Sequence, residues 1–341
     1  MNCRWIILLL ELHLVFQRSK MPEFEFNLDL IDGSFYSESL QYFRFSLPIF
    51  IEKIWKEFLK VDYKDDILKA FNYVNKYFPD YSAEIEYIAN YTGLSISKVW
   101  AFQYSYEMYF YCTSIVAKLQ NNHVLHGRDL DYIFDDISEL AFIAIYKRNN
   151  TEKFRCTQYP GFTGANTCTK KGSHGITFNA RESNYNSSQI DNIIALQEGK
   201  PLSPWLVRMS MDNSNSYQDM IKFISKTEST SPGYYIISGL EYNEGCVITK
   251  DRNQTIDIWN LSANEWFLVQ VNTDHWLPIP PGQLDRRTPA IKRMNSIGPQ
   301  NISAENLLSK VLNLWPNFNY ETLFTAVMIP NEEYFFVNLT I

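Results

Sequence analysis

The stretch Cys112-Thr-Ser-Ile-Val-Ala-Lys-Leu-Gln-Asn-Asn-His-Val-Leu-His-Gly-Arg128-Asp-Leu-Asp131 reads as one β-hairpin. Two β-prone runs flank Asn121-Asn122, and asparagine tolerates the positive φ that a tight turn needs. A two-residue loop pairs 120 with 123, so paired numbers sum to 243 and Cys112 faces Asp131. A three-residue loop with Asn122 left-handed pairs 119 with 123. The sum is then 242, and Ser114 faces Arg128, which shares a face with Cys112. Either register gathers a cysteine, an arginine and an aspartate at the open end of the hairpin. A thiol is nucleophilic as thiolate, and a nearby guanidinium lowers its pKa. An aspartate can hold an ammonium or orient a proton carrier. The bland alternative is a buried structural cysteine beside a surface ion pair.

Around this hairpin the chain has the composition of a globular protein. Of 341 residues, 45% are hydrophobic and 20% charged. With 31 basic against 38 acidic residues the net charge is -7, so no basic field exists to attract nucleic acid. No internal stretch approaches the roughly 18 apolar residues of a membrane span. Five cysteines are too few for a disulfide scaffold of this length. Cys156 and Cys168 are candidates for one bond, and Cys246 reads as a small core residue.

Upstream of the hairpin, residues 21–111 read as mainly helical after a short strand. Phe24, Phe26 and Leu28 alternate with polar residues. Phe50, Ile54 and Phe58, with Ile51, Trp55 and Leu59, form one apolar helical stripe. Core packing explains that stripe. The sharper reading is a membrane-facing surface, joined by Trp205 and Leu206. Helices are also expected near 81–89 and 95–111, with Ser95 as an N-cap. Downstream the texture turns to short strands, with helices near 189–199, 203–226 and 302–313. The sum is an α+β chain with antiparallel sheets and helices outside. Residues 1–20 carry a short positive head and an apolar run, so they read as a secretory signal, or as sequence upstream of a start at Met21. Asn90, Asn149, Asn186, Asn253, Asn260, Asn301 and Asn338 open glycosylation sequons.

Four motifs in order carry a family resemblance. Cys112-Thr-Ser-Ile-Val-Ala with His126-Gly-Arg128-Asp-Leu-Asp131-Tyr resembles the acid ceramidase and N-acylethanolamine-hydrolysing acid amidase family. Glu244-Gly-Cys-Val-Ile-Thr-Lys-Asp-Arg252 is similar to its Glu-Gly-x-Val-Ile-Thr-Arg strand. Val271-Asn272-Thr-Asp-His-Trp276 is similar to its Thr-Asn-Tyr-Asp-x-Trp motif, and Asp285-Arg286-Arg287-Thr-Pro289 to its Asp-Asp-Arg-Arg-Thr motif. Phe26-Asn27-Leu28-Asp29 and Asn90-Tyr-Thr-Gly-Leu-Ser match more loosely. Asp257-Ile-Trp259 leans toward the amidase side.

The resemblance implies an N-terminal-nucleophile hydrolase, an αββα sandwich with a mainly helical N-terminal segment. It implies a lysosomal proenzyme that cuts itself between Tyr111 and Cys112. Residues 21–111 would become the α-subunit and 112–341 the catalytic β-subunit of a heterodimer. The substrate would be a lipid amide, with no cofactor, metal or nucleic acid, and with peripheral membrane contact. Cys112 would be the nucleophile and its freed α-amine the base. Arg128 would stabilise the thiolate and position the carbonyl. Asp131 would bind the new ammonium, Asn272 would donate to the oxyanion, and Arg286 would support them from behind. The family has Asn-Glu-Arg where this chain has Asn179-Ala180-Arg181. Ala180 cannot move a proton, so either Glu182, two residues on and starting from a Cα about 6.6 Å away, substitutes for it or self-cleavage is slow. Three functions follow: an N-acylethanolamine-type amidase, a ceramidase with the same mechanism, or an inactive lipid-binding homologue. His123 and His126, three apart, point to opposite sides of a strand and make no joint metal face, and a Cys112–histidine dyad is not expected either.

Overall fold

The computed structural model describes residues 21–107, 110–181 and 189–340. The expected signal at 1–20, Glu182 and the Asn186 sequon lie outside the described residues. The strands, in chain order, are β1 (Glu23–Asn27), β2 (Phe110–Lys118), β3 (Val124–Tyr132), β4 (Phe142–Arg148), β5 (Thr151–Gln158), β6 (Thr167–Lys170), β7 (His174–Ala180), β8 (Gly233–Ser238), β9 (Gly245–Lys250), β10 (Thr255–Asn260), β11 (Phe267–Gln270), β12 (Thr322–Ile329) and β13 (Tyr334–Leu339). They form an eight-stranded sheet, β1-β4-β5-β6-β7-β8-β9-β10, and a five-stranded sheet, β11-β2-β3-β12-β13.

Alternation along the strands sets the layers. On the five-stranded sheet Ile115, Ala117, Leu125 and Val327 face outward, against Ala290 and Met294 of the helix Arg287–Ile297 and Leu307, Val311 and Leu312 beyond it. Val116, Val124 and Leu268 face inward and meet Tyr234, Ile236 and Val247 of the larger sheet. Tyr235, Ile237, Cys246 and Ile248 point the other way, into the core that also holds Met220 and Ile224 of the helix Tyr217–Lys226. The order is helices, sheet, sheet, helices: an αββα sandwich, as the resemblance implies.

The segment before Cys112 is woven into this body. β1 adds to the edge of the large sheet, parallel to β4, with Phe24 and Phe26 buried as their alternation predicts. Helices Ser46–Phe58, Lys64–Tyr77, Pro79–Thr92 and Ile96–Ser105 follow. Glu84 meets Arg208 of the helix Ser203–Asn213 in a buried two-bond ion pair, with Nη1–Oε2 at 2.6 Å and Nη2–Oε1 at 2.7 Å. Tyr36 donates to the same carboxylate at 3.0 Å.

Some expectations hold and others need correction. Phe50, Ile54 and Phe58 lie in the core, as core packing of the stripe expects, and so do Trp205 and Leu206, which leaves only the half-buried Trp55 and the exposed Leu59 toward solvent. The helix expected over 95–111 stops at Ser105, and β2 starts at Phe110. Ser95 is the N-cap residue by backbone conformation, but its hydroxyl caps nothing. The helix expected over 203–226 is two, broken where Ser216 accepts a hydrogen bond from the Asp219 N–H and starts the second. Cys156 and Cys168 are bonded across β5 and β6, and Cys246 is a buried free thiol. No helix among the described residues is long and apolar enough to cross a membrane.

Candidate active site

The hairpin takes the second of its two registers. Asn122 is left-handed at φ 67°, the Leu119 N–H donates to the His123 carbonyl at 2.9 Å, and Ser114 sits opposite Arg128. Cys112 and Arg128 therefore share the inner face of β2–β3. Arg128 Nη2 lies 2.8 Å from Cys112 Sγ. Its Nη1 is fixed by the Asn166 carbonyl at 2.5 Å and Thr167 Oγ1 at 2.9 Å. Both residues are fully buried. Burial pushes the Cys112 thiol above its ordinary value; Arg128 opposes that rise and Asp131 adds to it. The expected lowering by Arg128 is thus present but outweighed while the chain is continuous through Tyr111–Cys112.

Asp131 is the main departure. It sits opposite Tyr111, so its carboxylate occupies the other face of the hairpin from the thiol. There Arg286 Nη1 donates to Asp131 Oδ2 at 2.6 Å, Thr322 Oγ1 to Oδ1 at 2.7 Å and Asn319 Nδ2 to Oδ2 at 3.2 Å. Burial still raises its pKa, against Arg286 and these hydrogen bonds. Arg286 is no surface arginine; it is 5% exposed and its second nitrogen, Nη2, donates to Asn272 Oδ1 at 2.7 Å. That same oxygen accepts the Cys112 N–H at 2.8 Å. The result is a relay of contacts from Asp131 through Arg286 and Asn272 to the Cys112 nitrogen.

Asn272 was expected to donate to an oxyanion. In the continuous chain its Nδ2 donates to the Ala180 carbonyl at 2.8 Å, and its oxygen serves two donors. Flipping the amide would set N–H against N–H, so this assignment is the one the network supports. Five of the expected residues therefore meet at one place: Cys112 and Arg128 directly, and Asn272, Arg286 and Asp131 in series. Arg286 also lies over the exposed Tyr111 ring, 5.6 Å from its centroid.

Sequence reading missed the supports. Ser114 donates to Asn179 Oδ1 at 2.9 Å and accepts from Thr177 at 2.8 Å, locking β2 to β7. Asn166, Thr167, Asn319 and Thr322 carry no motif beyond turn chemistry; Asn319 and Thr322 bond to each other's neighbourhood as a turn before β12. His126 is buried between Ser238 and Thr177, and burial pushes its pKa down to about 3, while His123 meets Glu332 at the surface. Neither approaches the thiol as a base. Phe102, Tyr106, Tyr132, Tyr159, Phe162 and Leu323 close around an apolar gap of only about 10 Å³, room for no more than one water. Among the described residues no His/Cys/Asp/Glu group is arranged to hold a metal.

No family model matches the chain. Comparison with curated proteins finds N-acylethanolamine-hydrolysing acid amidase of Mus musculus, 36% identical over 251 residues, 73% of this chain and 68% of the relative. The Rattus norvegicus amidase is 34% identical over the same length and shares. Acid ceramidase of Macaca fascicularis is 32% identical over 274 residues, 75% of this chain and 68% of the relative. Among solved structures, the Caenorhabditis elegans orthologue of N-acylethanolamine-hydrolysing acid amidase superposes with a TM-score of 0.58 at 31% identity, covering 64% of this chain and 93% of that one. With a buried cysteine–arginine pair at the head of the inner hairpin of an αββα sandwich, this chain belongs to the N-acylethanolamine-hydrolysing acid amidase and acid ceramidase family, amide hydrolases of the N-terminal-nucleophile fold.

Proposed function

We propose that this chain is a self-processing cysteine amidase that hydrolyses N-acylethanolamine-type fatty amides to fatty acid and amine, in the lysosome. The carrying observation is the Cys112 residue itself. Its sulfur is in contact with Arg128, and its backbone nitrogen is in contact with the Asn272–Arg286–Asp131 relay. Thiolate attack on the Tyr111 carbonyl carbon, with protonation of the Cys112 nitrogen as it leaves, gives a thioester. That step has already freed the Cys112 α-amine; water then cleaves the thioester, releasing a Tyr111 carboxylate and the Cys112 thiol. That amine takes the thiol proton in the next reaction. The thiolate attacks the substrate carbonyl, the amine protonates the departing nitrogen, and water resolves the acyl-enzyme. Arg128 holds the thiolate. Asn272 Oδ1 faces the new ammonium as a hydrogen-bond acceptor, which favours its charged form, and Asp131 supports it in series through Arg286. Residues 21–111 and 112–341 then remain together as a heterodimer.

The Cys156–Cys168 bond and the exposure of Asn90, Asn149, Asn253, Asn260 and Asn301 support passage through an oxidising secretory compartment. A ceramidase reading uses the same chemistry and rests on the acid ceramidases at similar identity. The test begins with incubation in acid and a reducing gel. Two fragments are expected, the larger starting at Cys112, and none from Cys112→Ala. A panel of N-acylethanolamines and ceramides then separates the two readings. An intact chain that binds but does not turn over either class would leave only a lipid-binding homologue.

A further inference from the structure

Asn272 stands just beyond the end of β11 at Gln270, outside the sheet ladder, yet its side chain bridges three segments: Cys112, Arg286 and Ala180. Each of the two flanking segments is tied down by the neighbour of the residue that touches Asn272. Arg181, next to Ala180, grips Asp274, two residues beyond Asn272. Its Nε donates to Asp274 Oδ1 at 2.7 Å and its Nη2 to Oδ2 at 2.8 Å. Arg287, next to Arg286, donates to the Asp274 carbonyl at 2.9 Å. Tyr234 of β8 donates to Asp274 Oδ1 at 2.7 Å. The Arg181 and Asp274 side chains are only 7% and 10% exposed.

We propose that Arg181, Asp274 and Tyr234 form a positioning clamp that fixes the Asn272 side chain against the Cys112 nitrogen. The inference rests on the amidase reading and deepens it by naming residues that act through Asn272 rather than on the substrate. The two-pronged guanidinium–carboxylate contact is directional, so it sets the angle of the 272–274 turn as well as its distance from β7. Burial alone would raise the Asp274 carboxyl, but Arg181 and Tyr234, with His275 nearby, hold it below its ordinary value. The clamp therefore stays charged in mild acid. Displacing a catalytic group by about 1 Å can cost roughly 100-fold. Loss of the clamp should therefore register in kcat.

The test compares Asp274→Asn and Tyr234→Phe with the wild-type chain after acid processing. Asp274→Asn should lower kcat about 30-fold, near 2 kcal/mol, with KM within twofold. Hydrogen exchange across 271–276 should quicken about tenfold, while β7 and β8 stay protected. Tyr234→Phe, which removes one hydrogen bond and keeps the ring, should lower kcat about threefold and serves if the aspartate variant fails to fold. Unchanged kcat with unchanged exchange at 271–276 overturns the clamp. So does exchange that quickens equally through β7 and β8, which marks a merely structural pair. If the wild-type chain hydrolyses no lipid amide, yet Asp274→Asn loosens 271–276 and slows cleavage at Tyr111–Cys112, the amidase reading falls and the clamp stands.

Discussion

Arg128 carries the clearest consequence at the scale of single residues. Its guanidinium reaches the Cys112 sulfur with one nitrogen while the other is fixed by Asn166 and Thr167. A lysine ammonium is one compact point and cannot span both ends. Arg128→Lys should keep the positive charge yet lower kcat about 100-fold, measured on processed protein, and leave thermal stability within a few degrees. Equal activity would show that charge alone suffices. The pairing was legible because two residues on one hairpin obey simple register arithmetic. Asp131 was legible as a site residue, but its partners were not. Arg286, Asn319 and Thr322 lie 155, 188 and 191 positions away, and no local pattern encodes a contact of that span. Alternation alone does show that 128 and 131 point to opposite faces in any register. Grouping the three at one end of the hairpin passed over that alternation.

At the scale of elements, the turn decides which face the thiol occupies. A one-residue slip would move Cys112 out of the space between the sheets. The left-handed Asn122 holds the three-residue loop that prevents this. Asn122→Val should lose about 1–2 kcal/mol, the cost of left-handed backbone for a branched residue, whereas Asn122→Gly should lose none. Chemical denaturation of the Cys112→Ala background measures both without interference from processing. Equal losses for valine and glycine would mean the asparagine side chain, not its φ, holds the turn. Other elements were less legible. The helix Arg287–Ile297 went unread because it buries only Ala290 and Met294, so its stripe is too thin to stand out behind a charged motif. Phe110 and Tyr111 fall within the expected helix because aromatic residues suit both helix ends and strands, and their pairing with Tyr132 and Asp131 of β3 decides for strand.

At the scale of the whole molecule, the layers were legible only through the order of motifs. Composition and alternation gave helices outside antiparallel sheets, but the parallel edge pairing of β1 with β4 leaves no turn signature between them. Acidity then acts on the entire body in opposing senses. Burial raises the pKa of Asp129, Glu107 and Asp131, so the folded chain binds more protons than the unfolded one between the ordinary carboxylate range and those raised values. These groups gain stability as pH falls through that window. His126 and His174 do the reverse. Burial holds each pKa at about 3, against roughly 6.5 when unfolded, so the unfolded chain binds the extra protons and stability falls from pH 6.5 downward. For a single histidine the loss between pH 7 and 5 is about 2 kcal/mol, and it is insensitive to the folded value as long as that stays below 4. His126 is satisfied as a neutral ring by the Ser238 and Thr177 hydroxyls, which glutamine can also engage. His126→Gln in the Cys112→Ala background should therefore lose about 2 kcal/mol less than its parent when urea denaturation is compared at pH 7 and pH 5. Parallel losses in the two proteins would mean that His126 takes up its proton in the folded state, and the neutral buried ring would be wrong.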